Sequence, residues 1–252
     1  MITKTSDKVL WWLCLFIAPA TLIAIELFHP AGFTKDPGMF QFLTHPHPFP
    51  GSMANNALGY PGPQWWFVLH MIQTPTVILV AGGLWLAGGL QNPKHDPSLA
   101  NTLMWIARIC LFVFVVYYTV LDAIGGIGLG RTLLVTEALQ HSTDPTKQLT
   151  PEQVAGVQLL LNEIWVDPWV GGVGSFVSLT GSWAIFFATL FTAPVLYLRK
   201  LAPVPALVLL VVFGYVLQES HASYYGPLAF TILLVTGLIM WRHLQTIRSD
   251  TA

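Results

Sequence analysis

Charged residues are scarce in this sequence. Only 9% of its 252 residues are Asp, Glu, Lys or Arg, whereas an ordinary soluble domain contains about 25%, so a water-soluble globule is excluded. The 11 basic and 12 acidic residues give a formal net charge of -1. Nucleic acid is therefore not an expected partner, because no basic excess exists to neutralise its phosphates.

Cysteine is also rare, and several familiar motifs are missing. The 2 cysteines, Cys14 and Cys110, lie within apolar runs and form no C-x-x-C pattern, which excludes a disulfide framework, a zinc ribbon and a c-type haem attachment site. No G-x-S-x-G or H-E-x-x-H motif occurs. The glycine-rich segment from Gly125 to Gly130 lacks a following Lys-Ser/Thr, so it indicates a helix break or close backbone packing instead of a nucleotide loop.

Long apolar segments, by contrast, are abundant, since 54% of the residues are hydrophobic. A helix needs roughly 20 apolar residues to cross about 30 Å of hydrocarbon. We predict an all-α integral membrane bundle of six transmembrane helices that forms a single polytopic domain over 1–252, with spans at about 9–28, 64–90, 103–128, 169–198, 203–221 and 226–242. The first segment resembles a signal peptide around Ala18-Pro19-Ala20, but its apolar run continues to Phe28, so we expect it to be retained.

Two longer connections are predicted on one side of the membrane, at 30–63 and 131–167. The first contains 7 prolines and is predicted to be an ordered or extended cover rather than a helix. In the second, Thr150 and Gln153 form a helix-start pattern before apolar residues at a spacing near 3.6. This pattern predicts an amphipathic helix that lies on the outer membrane face or covers the bundle.

The basic residues predict the orientation of the bundle. Three of them, Lys35, Arg131 and Lys147, belong to one face, and eight belong to the other: Lys4, Lys8, Lys94, Arg108, Arg199, Lys200, Arg242 and Arg248. Since basic residues favour the cytoplasmic side, both termini are predicted to be cytoplasmic. The sequence thus predicts a multi-pass protein of the inner (plasma) membrane whose partner is the lipid bilayer.

Ionisable side chains lie near the outer ends of four predicted spans. Such groups are costly in a membrane and mark functional sites by default. Glu26 and His29 share an E-x-x-H spacing and one helical face. The remaining candidates are His70, Asp122, Glu219 and His221, and Glu219 and His221 could aim at one centre only if their helix breaks between them.

A metal site is the chemistry that this group of residues favours. We take Glu26, His29, His70, Asp122 and His221 as candidate ligands of zinc, copper or iron, with Tyr118 and Glu219 as candidate proton donor or acceptor. Because a diiron bundle needs two E-x-x-H motifs and only one is present, a mononuclear or irregular site is favoured. Haem ranks below a bare metal ion, because carboxylates are unusual neighbours of a buried porphyrin.

Other interpretations stay open at this stage. His70 and Asp122 could form a hydrogen-bonded pair that only fixes helix packing. The main hypothesis is a membrane metalloenzyme with redox or hydrolytic chemistry. The alternatives are a non-catalytic subunit that contacts other membrane subunits or a second copy of itself, and a proton- or cation-coupled transporter, although the inner halves of the spans are apolar.

Overall fold

The computed structural model describes residues 5–30, 39–46, 59–92, 95–172 and 174–249. These residues form eight helices and no β-strand. The helices are α1 (Thr5–Glu26), α2 (Met39–Leu43), α3 (Pro63–Gly89), α4 (Ser98–Gln140), α5 (Pro151–Trp165), α6 (Phe176–Leu198), α7 (Val204–Glu219) and α8 (Tyr225–Ser249).

Apolar helices dominate the described residues. Five of them, α1, α3, α4, α6 and α8, are long and apolar enough to cross a membrane, while α7 is apolar but has only 16 residues. On α4, the exposed side chains Ile109, Phe112, Val116 and Val120 recur at helical spacing, as expected for a face in contact with lipid. These features indicate an integral membrane protein.

These five helices and the shorter α7 form a closed ring in chain order. Each of α1, α3, α4, α6, α7 and α8 packs against the next, and α8 returns to pack against α1. Buried side chains from these helices form one continuous apolar core, which includes Leu22, Leu69, Ile185, Phe213 and Phe230. The ring brings the C-terminal ends of α1 and α7 and the N-terminal ends of α3 and α6 to the same end of the bundle, which we call the histidine end.

The predicted bounds of two spans need correction. The span predicted for 103–128 extends over 98–140, so the first ten residues of the connection predicted for 131–167 are helical. Its glycine segment does not break the helix, because residues Asp122–Gly128 form a π-helical turn that continues into the next segment. The span predicted to begin at 169 begins at Phe176, because the glycines at 171, 172 and 174 hold the preceding residues in turns.

Short elements cover the histidine end. The described part of the connection predicted for 30–63 contains the short helix α2, where an extended cover was predicted; the other residues of that connection, 31–38 and 47–58, lie outside the described ranges. Helix α5 begins where it was predicted, since Thr150 and Gln153 form a reciprocal capping box. The Phe40 amide donates to Oδ1 of Asn162 at 3.0 Å, which joins α2 to α5. A second apolar core, which includes Tyr60, Trp66 and Leu161, lies beneath them.

The opposite end of the bundle is held together by one buried arginine. Arg199 is 2% exposed, and its Nε donates to Asp96 at 2.8 Å. Its other nitrogens donate to the carbonyl oxygens of Gly88 and Leu90 and to Oδ1 of Asn101. Because these partners come from the end of α3, the following connection and the start of α4, the guanidinium joins three consecutive segments to α6.

Candidate functional site

A cavity of about 190 Å³ lies at the histidine end. Histidines from three separate parts of the chain line it: His29 follows α1, His70 belongs to the second turn of α3, and His221 lies between α7 and α8. Asp122 of α4 and Glu219 of α7 also line the cavity. The structure therefore brings together five of the side chains that the sequence singled out.

The three imidazole rings stand close to one another. The ring centre of His29 lies 5.3 Å from that of His70 and 5.1 Å from that of His221, and both pairs are in edge-to-face orientation. His29 thus occupies the middle of the group. Its position is fixed from the connection between α7 and α8, since the Ser223 amide donates to the His29 carbonyl oxygen at 3.1 Å.

Hydrogen bonds define which nitrogen of two rings carries the proton. Nδ1 of His29 lies 2.9 Å from the carbonyl oxygen of Pro30, and Nδ1 of His70 lies 2.7 Å from that of Trp66. Because a carbonyl oxygen only accepts, each Nδ1 donates a proton and each Nε2 presents a lone pair. Nε2 of His29 is buried and has no hydrogen-bond partner among the described residues.

Burial favours the uncharged form of His29 and His221, the two cavity histidines that lie outside the helices. It lowers the pKa of His221 from 6.5 to about 4. Burial also lowers the pKa of His29 well below 6.5, and the neighbouring rings of His221 and His70 lower it further. Since a positive charge on either ring is disfavoured, both imidazoles are in the form that binds metals.

Close packing between α3 and α4 positions His70. The ring of His70 lies 4.4 Å from the ring of Trp66, one turn earlier on α3, and Nε1 of that tryptophan donates to the Gly125 carbonyl oxygen at 3.1 Å. On the other side, the backbone of Gly126 lies against the imidazole, where a Cβ atom would overlap the ring. The glycine segment therefore provides the close backbone approach that the sequence left as one of two possibilities.

The two carboxylates of the cavity differ in their environment. Asp122 is 2% exposed, and its Oδ2 accepts a hydrogen bond from the Thr74 hydroxyl at 2.7 Å. Glu219 is exposed. Helix α7 ends at Glu219, and Ser220 is extended, which is the break that lets Glu219 and His221 line the same cavity.

Glu26 and Tyr118 lie deeper in the bundle than the cavity. Glu26 is fully buried, and its Oε1 accepts a hydrogen bond from Nε2 of Gln73. Glu26 is not among the residues that line the cavity, because α1 ends at Glu26 and the E-x-x-H pair does not continue on one helical face to His29. The ring of Tyr118 lies 5.7 Å from that of His221, and its buried hydroxyl has no hydrogen-bond partner among the described residues.

Within the described ranges, no three His, Cys, Asp or Glu side chains stand in the geometry of a formed metal site. The histidine rings meet edge to face, so convergence of their Nε2 atoms on one point requires side-chain rotation. The adjoining cavity provides space for that rotation. The arrangement is a group of candidate ligands rather than a finished coordination shell.

Sequence reasoning missed the aromatic components of the site. Trp66 and Trp165 both line the cavity, and their rings lie 6.3 Å apart. The spacing of Trp66 and His70, four residues apart on one helix, was a usable signal for the first. The contacts of Trp165 with Gly125 and Gly172 join distant parts of the chain, and no local pattern indicates them.

The chain matches no protein-family model, and comparison with curated proteins and with solved structures finds no significant match.

Proposed function

We propose that this protein is a membrane metalloprotein that binds one zinc, copper or iron ion on His29, His70 and His221. The observation that carries the proposal is the grouping of three imidazoles. In two of them, His29 and His70, Nδ1 donates to a backbone carbonyl oxygen, which leaves the Nε2 lone pair free to bind a metal. A backbone carbonyl that accepts from the non-ligating nitrogen is typical of metal-binding histidines.

The separations of the His29 ring from the other two rings are compatible with a single metal ion once the rings turn their Nε2 atoms toward it. A metal about 2.0–2.1 Å from an imidazole nitrogen lies roughly 3.2 Å from the ring centre, so two imidazoles on a tetrahedral ion have centres about 5.2 Å apart. The observed separations from His29 are 5.3 and 5.1 Å. Two imidazoles on opposite faces of a haem would instead have centres about 6.4 Å apart, so the geometry favours a bare ion over haem.

The remaining walls of the cavity supply the groups that a reaction would need. Three protein ligands and one open position are the arrangement of catalytic zinc sites. Asp122 and Glu219 line the same cavity, where a carboxylate holds or moves a proton of a substrate or of a water molecule. A cavity of about 190 Å³ selects a small substrate or one end of a longer one. We propose redox or hydrolytic chemistry at this position.

The proposed orientation places the cavity on the outer side of an inner membrane. Its support is the eight-to-three distribution of basic residues in the sequence and the positive-inside rule. Helix α7 joins the bundle as a sixth span in this proposal, because it packs between α6 and α8 along the ring. Membrane-impermeant labelling of single cysteines at 142 and 200, in a chain with Cys14 and Cys110 replaced by serine, tests it: we expect labelling of intact cells at position 142 only.

The metal content of purified protein tests the proposed function. Protein is purified in mild detergent without chelator, and zinc, copper and iron are quantified together with a visible absorption spectrum. We expect about one ion per chain in the wild type and at least a tenfold loss in His29→Gln, His70→Gln and His221→Gln. The control variant His141→Gln changes an exposed histidine and should keep the metal. Wild-type protein without metal, or variants that retain it, would overturn the proposal.

Cation-coupled transport is a second candidate, and the buried pair of Glu26 and Gln73 favours it. Both residues are 0% exposed and lie within the membrane-spanning part of the bundle, where such groups commonly relay ions. Proteoliposomes that contain the protein and a pH-sensitive dye test it. If the wild type conducts protons and Glu26→Gln does not, the protein is a carrier. If the wild type conducts no protons but contains bound metal, the result supports the first proposal.

A further inference from the structure

A second cavity lies at the opposite end of the bundle, away from His29, His70 and His221. Its volume is about 380 Å³, and its lining includes Asp7 and Trp11 of α1, Trp85 and Gly89 of α3, and Arg108 of α4. One cationic and one anionic side chain thus face the same cavity. Neither residue belongs to the proposed metal site, so the cavity requires its own explanation.

Arg108 has a guanidinium that the protein leaves only partly satisfied. Its central carbon lies 4.9 Å from the ring centre of Trp85 and 5.3 Å from that of Trp105. Its Nε is buried and has no acceptor among the described residues. Arg199 at the same end is different, since it donates to four acceptors of the protein. Arg199 therefore joins segments of the fold, whereas Arg108 lines the cavity with hydrogen-bonding capacity that no described residue uses.

The surroundings of Arg108 place that acceptor at a membrane surface. Trp85 and Trp105 are 42% and 61% exposed, and exposed tryptophans on membrane helices lie at the level of lipid headgroups. Gly89 lets the guanidinium approach the backbone of α3 closely, because a Cβ atom there would lie only 3.3 Å from one of its terminal nitrogens. A lipid phosphate at this depth reaches the arginine without crossing the bundle.

The charges that line the cavity define the headgroup. A planar guanidinium binds a phosphate through paired hydrogen bonds, and the Asp7 carboxylate accepts hydrogen bonds from a primary ammonium. A choline headgroup has no N–H to donate to Asp7, and a phosphoglycerol headgroup offers Asp7 only neutral hydroxyl groups in place of an ammonium charge. We propose that this cavity binds the phosphoethanolamine headgroup of a phospholipid in the leaflet on the N-terminal side.

Lipid titration of the full-length protein in detergent tests this proposal. Short-chain phosphatidylethanolamine, phosphatidylcholine, phosphatidylglycerol and inorganic phosphate are added separately, and binding is followed by native mass spectrometry and by the melting temperature. We expect phosphatidylethanolamine to bind at least tenfold more tightly than the other three. Equal binding of phosphatidylglycerol or phosphatidylcholine would refute the assigned headgroup, and an equal effect of inorganic phosphate would refute a lipid site.

Two variants assign the binding to the named residues. Arg108→Gln should weaken phosphatidylethanolamine binding at least tenfold, while Arg131→Gln, which removes an exposed charge from the same long helix, should leave it unchanged. Asp7→Asn should retain binding but lose the preference over phosphatidylglycerol, which keeps the proposal testable if Arg108→Gln does not fold. Wild-type affinity and selectivity in both Arg108→Gln and Asp7→Asn would overturn it.

Discussion

The backbone of Gly126 lies directly against the imidazole of His70, with no space between them for a methyl group. This contact joins α4 to α3 at the depth of the cavity. It also explains why a flexible-looking glycine segment continues as helix, since the absence of side chains lets the two helix backbones approach closely. The same effect occurs at Gly130, where a Cβ atom would lie 3.0 Å from Cδ1 of Trp66.

Replacement of Gly126 by alanine should displace His70. The added methyl group overlaps the ring, and overpacking of this kind costs about 1–3 kcal/mol. We expect a lower melting temperature and at least a tenfold loss of bound metal. Gly82→Ala is the matched control, because a Cβ atom at Gly82 has no neighbour within 4 Å; it should keep both properties. Full metal content in Gly126→Ala would show that the position of His70 is irrelevant to binding.

Because Glu26 lies below the cavity, we expect that it can be replaced without loss of the bound metal. Glu26→Gln keeps an acceptor for Nε2 of Gln73, so the variant should fold and retain bound metal within twofold. Glu26→Leu leaves that amide nitrogen without its acceptor and should lower the free energy of unfolding by about 1–3 kcal/mol. Metal analysis and thermal unfolding distinguish these effects. Loss of metal in Glu26→Gln would restore Glu26 as a ligand, as the sequence alone had predicted.

Stability of the metal-free protein should decrease as the pH falls. His221 takes up a proton near pH 6.5 in the unfolded chain but near pH 4 in the folded protein. Between these values the unfolded state binds more protons, so the free energy of unfolding falls with decreasing pH. Melting curves of chelator-treated protein from pH 7 to 4.5 measure the decrease. The melting temperature should fall less in His221→Gln than in the wild type, and by the wild-type amount in His141→Gln. The same fall in the wild type and both variants would show that His221 is not the group responsible.

Arg199 should contribute strongly to the stability of the bundle at the end opposite the cavity histidines. Arg199→Met leaves Asp96 and the carbonyl oxygens of Gly88 and Leu90 without their donor. Asp96 is exposed and can bind water instead, but the carbonyl oxygens are at least partly buried, so the loss should be about 1–3 kcal/mol. Lys147→Met is the control, since Lys147 pairs with Asp144 in an exposed position and such pairs contribute about 0–1 kcal/mol. Thermal unfolding in one detergent measures both. A change below 1 kcal/mol in Arg199→Met would show that the network is dispensable.

Local patterns in the sequence were sufficient for the helical architecture. Apolar runs indicated the long helices, and the capping pattern at Thr150 and Gln153 marked the start of α5. Hydrophobic periodicity depends only on near neighbours, so such features can be read without knowledge of the fold. The extension of α4 to Gln140 was missed, because glycine lowers helix propensity and the packing against Trp66 that offsets this is not visible in a local pattern.

The candidate site was only partly accessible from the sequence. His29, His70 and His221 were identified because ionisable groups are unusual near membrane spans. The placement of His70 and His221 on either side of His29, and the separation of Glu26 from all three, depend on where α1 ends and on how the ring of helices closes. These are long-range properties, and the contact of Gly126 with His70 belongs to the same class.

Closure of the ring by α8 against α1 has a consequence for biosynthesis. His29 leaves the ribosome long before His221 does, because the two histidines are far apart in the sequence. Helix α8 lies between α1 and α7, so the seam between these two helices stays open until α8 is inserted. The Ser223 contact that fixes the His29 backbone, and with it the grouping of the three imidazoles, therefore forms late in the assembly of the bundle.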